Sequence, residues 1–307
     1  MKEMKFVFGP VPSRRLGISL GISPIPKKTC NYSCVYCQLG RTNRMSNERK
    51  MFFPVNEIMD DFNEILKAGF AFDVVTIVGE GEPTLYLGMG ELIEQLKEQT
   101  SKPIAVITNG ALLYEPQLRR ELAIADIVLP TMDAYDERTL NSINRPHKEI
   151  HFPQVFEGLK IFSQEYLGQL WIEIMLIAGV NDDDVSLHKY AEMLAELNYQ
   201  RLYLNTPIRP PAEKYVKQIS EEKMSQAVEV LGGISLDFMV SEGFQSNLND
   251  SYEAIMSIIK RHPMNQFEIK SFLKMRNEDA AAFLHRLESD IEVNVVDYKG
   301  YRTYRLR

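Results

Sequence analysis

The sequence is poor in cysteine, tryptophan and histidine, and it carries no excess of basic residues. Its 307 residues include 3 cysteines, 1 tryptophan and 5 histidines, and the formal net charge is −7. A chain with a pI near 5.4 has no general attraction for phosphates, so non-specific binding to nucleic acid is not expected. No apolar run approaches the roughly 18 residues that a membrane-spanning helix requires, so we expect no membrane contact.

The first ten residues, MKEMKFVFGP, give no sign of export. They lack both the apolar stretch of a signal peptide and a small-residue cleavage site, so we expect the protein in the cytoplasm. In that reducing compartment disulfides are rare, and an odd number of cysteines would leave one unpaired. Clustered cysteines are therefore expected to bind metal or to act in catalysis.

Helix-like and strand-like segments alternate between residue 54 and about residue 240. Apolar runs such as FDVVTIVG and PIAVITNG, typical of strands buried on both faces, are each followed by a helical segment. With a first strand near GISLGIS, six strand–helix units predict an α/β fold with a parallel sheet. A doubly wound sheet would show the same alternation. Polar residues and glycines at the strand ends favour a partial, TIM-like (β/α)6 barrel with a site at its carboxyl-terminal rim.

A different pattern begins near residue 250. Three short helical segments precede two strand-like runs, IEVNVV and YRTYRL, which is the order of a winged helix. We therefore expect a barrel domain over 1–245 and a winged-helix-like domain over 246–307. Basic and acidic residues nearly balance in this tail, which favours packing on the barrel or binding of a partner protein over binding of duplex DNA.

A tail with a core of its own makes two local predictions. A tight turn is expected at Lys299 and Gly300, because such a turn needs a residue that tolerates positive φ. Helical spacing predicts that seven apolar side chains face inward, namely Ile255, Ile258, Phe267, Ile269, Phe272, Phe283 and Leu287.

All three cysteines lie in the stretch KKTCNYSCVYCQLG, residues 27–40. Cys30, Cys34 and Cys37 have the spacing Cys-x3-Cys-x2-Cys, so their thiolates can share one iron–sulfur cluster. Three ligands for a four-iron cluster leave one iron open, as a catalytic metal requires. The alternative is zinc, with His147 or His151 as the fourth ligand, although the paired knuckles of most zinc sites are missing.

The cysteine spacing, with Tyr36 just before the third cysteine, resembles the signature of the radical S-adenosylmethionine (radical SAM) superfamily. The strand FDVVTIVG leads into EGEP, which resembles the superfamily's Gly-Gly-Glu element with Glu80 in the place of the second glycine. The resemblance implies that this turn, formed by Glu80, Gly81, Glu82 and Pro83, contacts the amino group of S-adenosylmethionine. It leaves open whether Glu80 or Glu82 makes the contact, an acidic group facing an ammonium.

Polar residues at the later strand ends fit the same family, and the resemblance covers about residues 6 to 240. It implies cofactor-binding roles for Asn109, Thr131, Asp133, Glu173 and Asn205, in addition to Tyr36 and the EGEP turn. Other residues that fit at these ends are Thr108, Arg145, Gly179 and Asn181.

The resemblance also implies the chemistry. The open iron of a 4Fe–4S cluster would chelate the amino and carboxylate groups of S-adenosylmethionine. One electron, from a donor such as flavodoxin or ferredoxin, would split the carbon–sulfur bond. Methionine and a 5′-deoxyadenosyl radical would form, and the radical would abstract a hydrogen atom from the substrate.

Within the superfamily, the stretch FGPVPSRRLGISLGISPIPKKTCNYSCVYCQLGRT resembles a group loosely related to wyosine-base synthases of tRNA and to the nitrogenase cofactor protein NifB. Those relatives hold additional clusters with further cysteines, which this chain lacks. Neither activity is therefore expected to carry over. A missing D-x-H-x-x-G motif argues against cobalamin-dependent methylation.

Positively charged residues are the only feature of the sequence that suggests a class of substrate. If the five arginines that flank the first strand and the cysteines meet at one rim, they could grip a phosphate or carboxylate; these are Arg14, Arg15, Arg41, Arg44 and Arg49. The substrate would then be anionic, for example a nucleotide or RNA, whereas solvated arginines would say nothing about it. Two alternatives stay open: a glycyl-radical activase that acts on a partner protein, and a non-enzymatic iron–sulfur or zinc regulator that reads DNA with its winged helix.

Overall fold

A computed structural model describes residues 4–236, 244, 246, 248, 250–260, 262–298 and 301–307. The strands are β1 (Val7–Ser13), β2 (Gly17–Ile22), β3 (Thr29–Cys30), β4 (Arg44–Met45), β5 (Val74–Ile77), β6 (Ile104–Thr108), β7 (Ile127–Pro130), β8 (Gln169–Met175), β9 (Arg201–Asn205), β10 (Ile234–Ser235), β11 (Met264–Asn265), β12 (Val293–Tyr298) and β13 (Tyr301–Leu306). The α-helices are α1 (Val55–Ala68), α2 (Met89–Gln99), α3 (Pro116–Leu122), α4 (Glu137–Thr139), α5 (Phe152–Glu165), α6 (Asp184–Leu194), α7 (Glu221–Leu231), α8 (Ser251–Ile259), α9 (Gln266–Met275) and α10 (Ala280–Ser289). A 3-10 turn, Pro83–Leu85, precedes α2, and a π-helical segment, Leu140–Asn144, follows α4. Across these ranges, no helix combines the length and the apolar character that a bilayer crossing demands.

The main sheet has eight strands in the order β1-β2-β5-β6-β7-β8-β9-β10. β2 and the strands after it pair in parallel, and helices separate each of them from the next. The predicted alternation is confirmed as a mixed α/β fold with a mainly parallel sheet. Because the parallel strands follow one another in chain order without a reversal, the doubly wound arrangement is excluded.

Strand β1 pairs antiparallel with β2 at the edge of the sheet, and the sequence does not predict it. Its segment VFGPVPS contains two prolines, which cannot donate to a hydrogen-bond ladder and so argue against an interior strand. At a sheet edge the missing donors face no partner, so prolines are tolerated there.

Local sequence explains the first helix. Pro54 precedes α1 with extended backbone, and Gly69 ends it in the left-handed conformation that glycine adopts without steric cost. Ile58, Phe62 and Ile65 recur at helical spacing and are buried in the large core.

The parallel strands bury both of their faces. Val75 and Ile77 of β5 point outward into the large core that the helices cover. The alternate residue Val74 points inward and joins Tyr203 of β9 and Leu16 of the β1–β2 turn in a smaller cluster. Since the inner side chains of five successive strands pack in that one cluster, the sheet is curved and its inner face is concave.

The tail has the predicted order of three helices followed by a hairpin. It also has a short strand, β11, which the sequence does not predict, and the three strands form an antiparallel sheet in the order β11-β13-β12. The predicted turn at Lys299 and Gly300 lies outside the described residues.

The prediction that the tail has a core entirely its own is wrong. Phe8 and Val11 of β1 belong to the same buried cluster as the inward side chains of α8, α9 and α10. Phe267 is 57% exposed, because the buried face of α9 begins at Ile269 and Phe267 lies on the opposite side. Phe283 is only partly buried. The other five predicted core residues are buried.

Candidate active site at the cysteine loop

The three cysteines lie in one loop that a pair of short strands closes. β3 pairs in parallel with β4, and residues 28–46, which include both strands, form the cysteine loop. Within it the Cys37 amide donates to the Cys34 carbonyl at 3.1 Å, and the Ser46 amide donates back to the Cys30 carbonyl at 3.1 Å. All three cysteines are partly exposed and line one cavity of about 400 Å³ on the concave side of the sheet.

The surroundings of the sulfurs fit an iron–sulfur cluster. Burial raises the pKa of all three thiols, and metal binding requires their deprotonated form. Two sulfurs already face hydrogen-bond donors of the kind that tune clusters. The Tyr32 amide lies 3.4 Å from Cys30 Sγ, and Asn144 Nδ2 lies 3.5 Å from Cys34 Sγ.

The zinc alternative finds less support. Among the residues described, no three Cys, His, Asp or Glu side chains are grouped so that they could hold a single metal ion. Ligands that each hold a different iron of a cluster do not need to meet at one point. His147 and His151 interact with Glu149 and Glu137 instead, at 3.6 and 3.4 Å, and neither lines the cavity.

The buried Asp133 carboxylate is hydrogen-bonded to the cysteine loop. Its carboxylate accepts hydrogen bonds from the Tyr36 hydroxyl, from Asn144 Nδ2 at 2.9 Å and from the Met175 amide at 2.9 Å. Burial raises the pKa of Asp133 to about 6, although these hydrogen bonds oppose the shift. Asp133 does not line the cavity with the cysteines, so the structure places it as a support for Tyr36 and for the Asn144 that faces Cys34.

We expect the Asp133→Ala variant to lose at least about 2 kcal/mol of the free energy of unfolding, because each buried donor left without an acceptor costs about 1–3 kcal/mol. Urea unfolding of the iron-free protein measures this. Tyr36→Phe is the matched control: it removes one donor and leaves Asp133 with two, so a loss of about 1 kcal/mol is expected. An Asp133→Ala protein as stable as the wild type would show that this network contributes nothing.

Glu82 ties the end of β5 to the end of β6. Its Oε1 accepts from the Thr84 amide at 3.0 Å and from the hydroxyls of Thr84 and Thr108, both at 2.6 Å. Its Oε2 accepts from the Asn109 amide at 2.7 Å. Burial raises the pKa of Glu82, and these hydrogen bonds oppose the shift. Donors of the protein itself thus hold the Glu82 carboxylate, without any bound ligand.

The rest of the EGEP turn runs against the cysteine loop. A Cβ on Gly81 would lie 1.8 Å from the Thr29 carbonyl oxygen, so only glycine allows this approach. The Lys28 amide donates to the Glu80 carbonyl at 2.5 Å. The Glu80 side chain is buried and lines the cavity. Pro83 is buried at the start of the 3-10 turn and lies outside the cavity lining.

Two other predicted residues also lie at this end of the sheet. Asn109 Nδ2 donates to Asn31 Oδ1 at 2.7 Å and lies 3.9 Å from Cys30 Sγ, so it connects the end of β6 to the cysteine loop. Thr131 lines the cavity, and its hydroxyl lies 3.4 Å from the Thr108 carbonyl oxygen. Both lie on the cavity wall, as the strand-end pattern predicts.

Glu173 and Asn205 belong to a polar network deeper on the concave face. Glu173 pairs with Arg15 and accepts from Asn205 Nδ2 at 3.1 Å. Arg14 donates to the Leu236 carbonyl at 3.0 Å and lies 3.5 Å from Asn205 Oδ1. Burial lowers the pKa of Arg15 to about 10, and the neighbouring Arg14 adds to the shift. This network connects the β1–β2 turn to the far edge of the sheet.

The structure does not bring the five arginines to one rim. Arg14 and Arg15 line the cavity, but Arg41 pairs with Glu213 at 2.8 Å, and Arg49 pairs with Glu121. Arg44 is exposed. Arg41 lies near the end of the cysteine loop, Arg44 lies on β4, and Arg49 lies between β4 and α1. A grip on phosphate by all five is therefore wrong.

The tail supplies one cavity residue, His262, that the sequence does not single out. His262 lines the cavity together with Arg209 from the segment after β9, and their side chains are 2.6 Å apart. Burial, and then the charge of Arg209, lower the pKa of His262 well below its usual value. No local signal could have found this contact, because it depends on how the tail packs against the sheet.

Three residues that fit the family pattern at the strand ends have structural contacts outside the cavity. Arg145 adopts a left-handed conformation and pairs with Glu213 at 2.5 Å. Asn181 is buried and donates to the Met175 carbonyl at 3.0 Å. Gly179 also has a positive φ, and its amide donates to a side-chain oxygen of Asp182 at 2.8 Å.

Comparison with known proteins agrees with this geometry. The model of the radical SAM superfamily matches residues 25–191, which contain the cysteine loop and strands β5 to β8. The UPF0026 protein MJ1312 of Methanocaldococcus jannaschii is 38% identical over 285 residues, which cover 89% of this chain and 88% of that protein.

Two solved structures share the fold. A radical SAM methyltransferase from Sphaerobacter thermophilus has a TM-score of 0.54 at 19% identity, with 72% of this chain and 68% of that chain covered. The structure of TYW1 with a lysine-pyruvate adduct bound has a TM-score of 0.50 at 15% identity, with 95% and 82% covered. At these identities both likenesses show the fold alone. The chain belongs to the radical SAM superfamily, whose enzymes use a 4Fe–4S cluster and S-adenosylmethionine.

Proposed function

We propose that this enzyme holds one 4Fe–4S cluster on Cys30, Cys34 and Cys37 and uses it to cleave S-adenosylmethionine reductively. The observation that carries the proposal is the shared cavity, which the three cysteines line together with Glu80, Asn109, Thr131 and other strand-end residues. When bound, the cluster would pass one electron from a flavodoxin- or ferredoxin-like donor to the carbon–sulfur bond of S-adenosylmethionine. Methionine and a 5′-deoxyadenosyl radical would form, and the radical would take a hydrogen atom from the substrate.

The chain's own residues would orient the cofactor and keep water out. Glu80 is the carboxylate that we assign to the amino group of S-adenosylmethionine, because Glu82 is already engaged by four donors at the ends of β5 and β6. Thr131 and Asn109 would flank the cofactor on the next strands. Glu173 and Asn205, deeper on the concave face, would lie nearer the substrate.

Substitution of the two glutamates separates these roles. Glu80→Ala is expected to weaken S-adenosylmethionine binding by roughly 10- to 150-fold, since a hydrogen bond to a charged group is worth about 1.5–3 kcal/mol, and to leave the iron content unchanged. Glu82→Ala is expected to lower the free energy of unfolding, because it leaves buried donors without an acceptor. Equilibrium dialysis and urea unfolding measure the two effects. Unchanged affinity in Glu80→Ala would overturn its assignment.

Size limits the substrate. A cavity of about 400 Å³ lies near the lower end of the range for small-molecule sites, so S-adenosylmethionine would fill much of it. A nucleotide, RNA or protein substrate would therefore insert only its reacting residue. The tail, which we propose as a winged-helix-like domain because of its helix order and its three-stranded sheet, would form part of the entrance through His262.

Anaerobic reconstitution tests the proposed function. Protein supplied with iron and sulfide, then with dithionite and S-adenosylmethionine, is expected to form 5′-deoxyadenosine, which chromatography detects. Fractions of cell extract that increase this turnover would lead to the substrate. A reconstituted protein that holds a four-iron cluster and forms no 5′-deoxyadenosine under any of these conditions would overturn the proposal.

A further inference from the structure

The tail touches the cysteine loop directly beside the third cysteine. Arg305, on β13, is partly buried, and its Nη1 donates to the Gln38 carbonyl at 3.0 Å. The same nitrogen donates to the Pro210 carbonyl at 3.2 Å. Gln38 follows Cys37 in the chain, so the guanidinium lies next to the end of the metal-binding motif.

Further contacts fix this arrangement. The Gln38 side-chain oxygen lies 3.4 Å from Arg209 Nη1, so both the backbone and the side chain of Gln38 face a guanidinium. The Tyr298 hydroxyl, on β12, donates to the Pro207 carbonyl at 2.5 Å. The segment after β9 is thus held between the tail hairpin and the cysteine loop, and Arg305 keeps its position relative to Cys37.

Arg305 brings a positive charge next to the third cysteine. Its Nη1 lies 3.0 Å from the carbonyl oxygen of Gln38, the residue that follows Cys37, and its side chain is partly buried. Solvent screens a partly buried charge less than an exposed one, so the field of Arg305 acts on a metal that the Cys37 thiolate binds.

We propose that the positive charge of Arg305 raises the midpoint potential of a cluster ligated by Cys37. The cluster is therefore reduced more readily when the tail contacts the cysteine loop. The inference rests on the proposed 4Fe–4S site. Reduction adds one negative charge to the cluster, and a nearby positive charge stabilises the reduced form more than the oxidised form. Hydrogen bonds, net charge and exposure are known to set the potentials of such clusters.

A redox titration of three reconstituted variants tests this without any turnover. Arg305→Gln removes the charge but keeps an amide donor for Gln38, and Arg305→Lys keeps the charge. Arg302→Gln is the matched control, because Arg302 lies on the same strand and pairs with Glu288. Midpoint potentials are followed by electron paramagnetic resonance of the reduced cluster, and iron content is measured in parallel.

We expect Arg305→Gln to have a more negative midpoint potential than the wild type, and Arg305→Lys and Arg302→Gln to match the wild type. Equal potentials in Arg305→Gln and Arg302→Gln would overturn the proposal, as would a shift in Arg305→Lys as large as that in Arg305→Gln. If Arg305→Gln takes up no iron, Arg305→Lys decides alone: a potential more negative than that of Arg302→Gln rejects the proposal, and an equal one supports it. A wild type without a four-iron cluster would instead reject the proposed function.

Discussion

Replacing any one of Cys30, Cys34 and Cys37 by alanine is expected to abolish both iron binding and the formation of 5′-deoxyadenosine. The 307-residue chain contains no fourth cysteine that could substitute for a lost ligand. The wild type is expected to bind about four irons after anaerobic reconstitution, as a cluster of this type requires. Iron and sulfide analysis, with the absorption spectrum, measures the loss.

The control for this series is Asn43→Ala, in the same loop. Because Asn43 is exposed, the Asn43→Ala protein should have the same iron content and form as much product as the wild type. One tightly bound zinc ion, with no uptake of iron by the wild type, would contradict the iron–sulfur site and favour the zinc alternative. Iron retained by an alanine variant would show that its cysteine is not a ligand.

Removing residues 246–307 is expected to leave a folded but less stable protein that still takes up iron. The two buried clusters of the main sheet contain no described residue beyond Leu236, so the sheet keeps its core. Phe8 and Val11 lose their cover, which should cost about 2–5 kcal/mol and lower the melting temperature by about 5–15 °C. Calorimetry of the iron-free proteins measures the difference.

The full-length Phe8→Ala variant is the control for that truncation. It weakens the contact between β1 and the tail while the tail stays attached, so its melting temperature should lie between those of the two proteins. A shortened chain that does not fold would show that the tail belongs to the folding unit of the sheet and that a boundary near residue 245 is wrong. An unchanged melting temperature would show that the shared core adds no stability.

Features that depend on neighbouring residues could be predicted from the sequence alone. The spacing of Cys30, Cys34 and Cys37 places the three thiols in one short segment, so that they can share one cluster. The alternation of apolar strands with amphipathic segments predicted the mainly parallel sheet, because burial on two faces leaves its mark on each short segment. The effects of Pro54 and Gly69 on the backbone at the two ends of α1 are local in the same way.

Contacts between distant residues could not be predicted in this way, because they depend on the folded structure. The curved sheet brings the Asp133 carboxylate to the Tyr36 hydroxyl and pairs Arg49 with Glu121 of α3 instead of placing it at a substrate rim. The cofactor-binding role of Asp133 stays a prediction. The tail adds Arg305 beside Gln38, and it shares a core with β1. These contacts join segments that are far apart in the chain, so they depend on the curvature of the sheet and on side-chain packing, and no local pattern of residues records them.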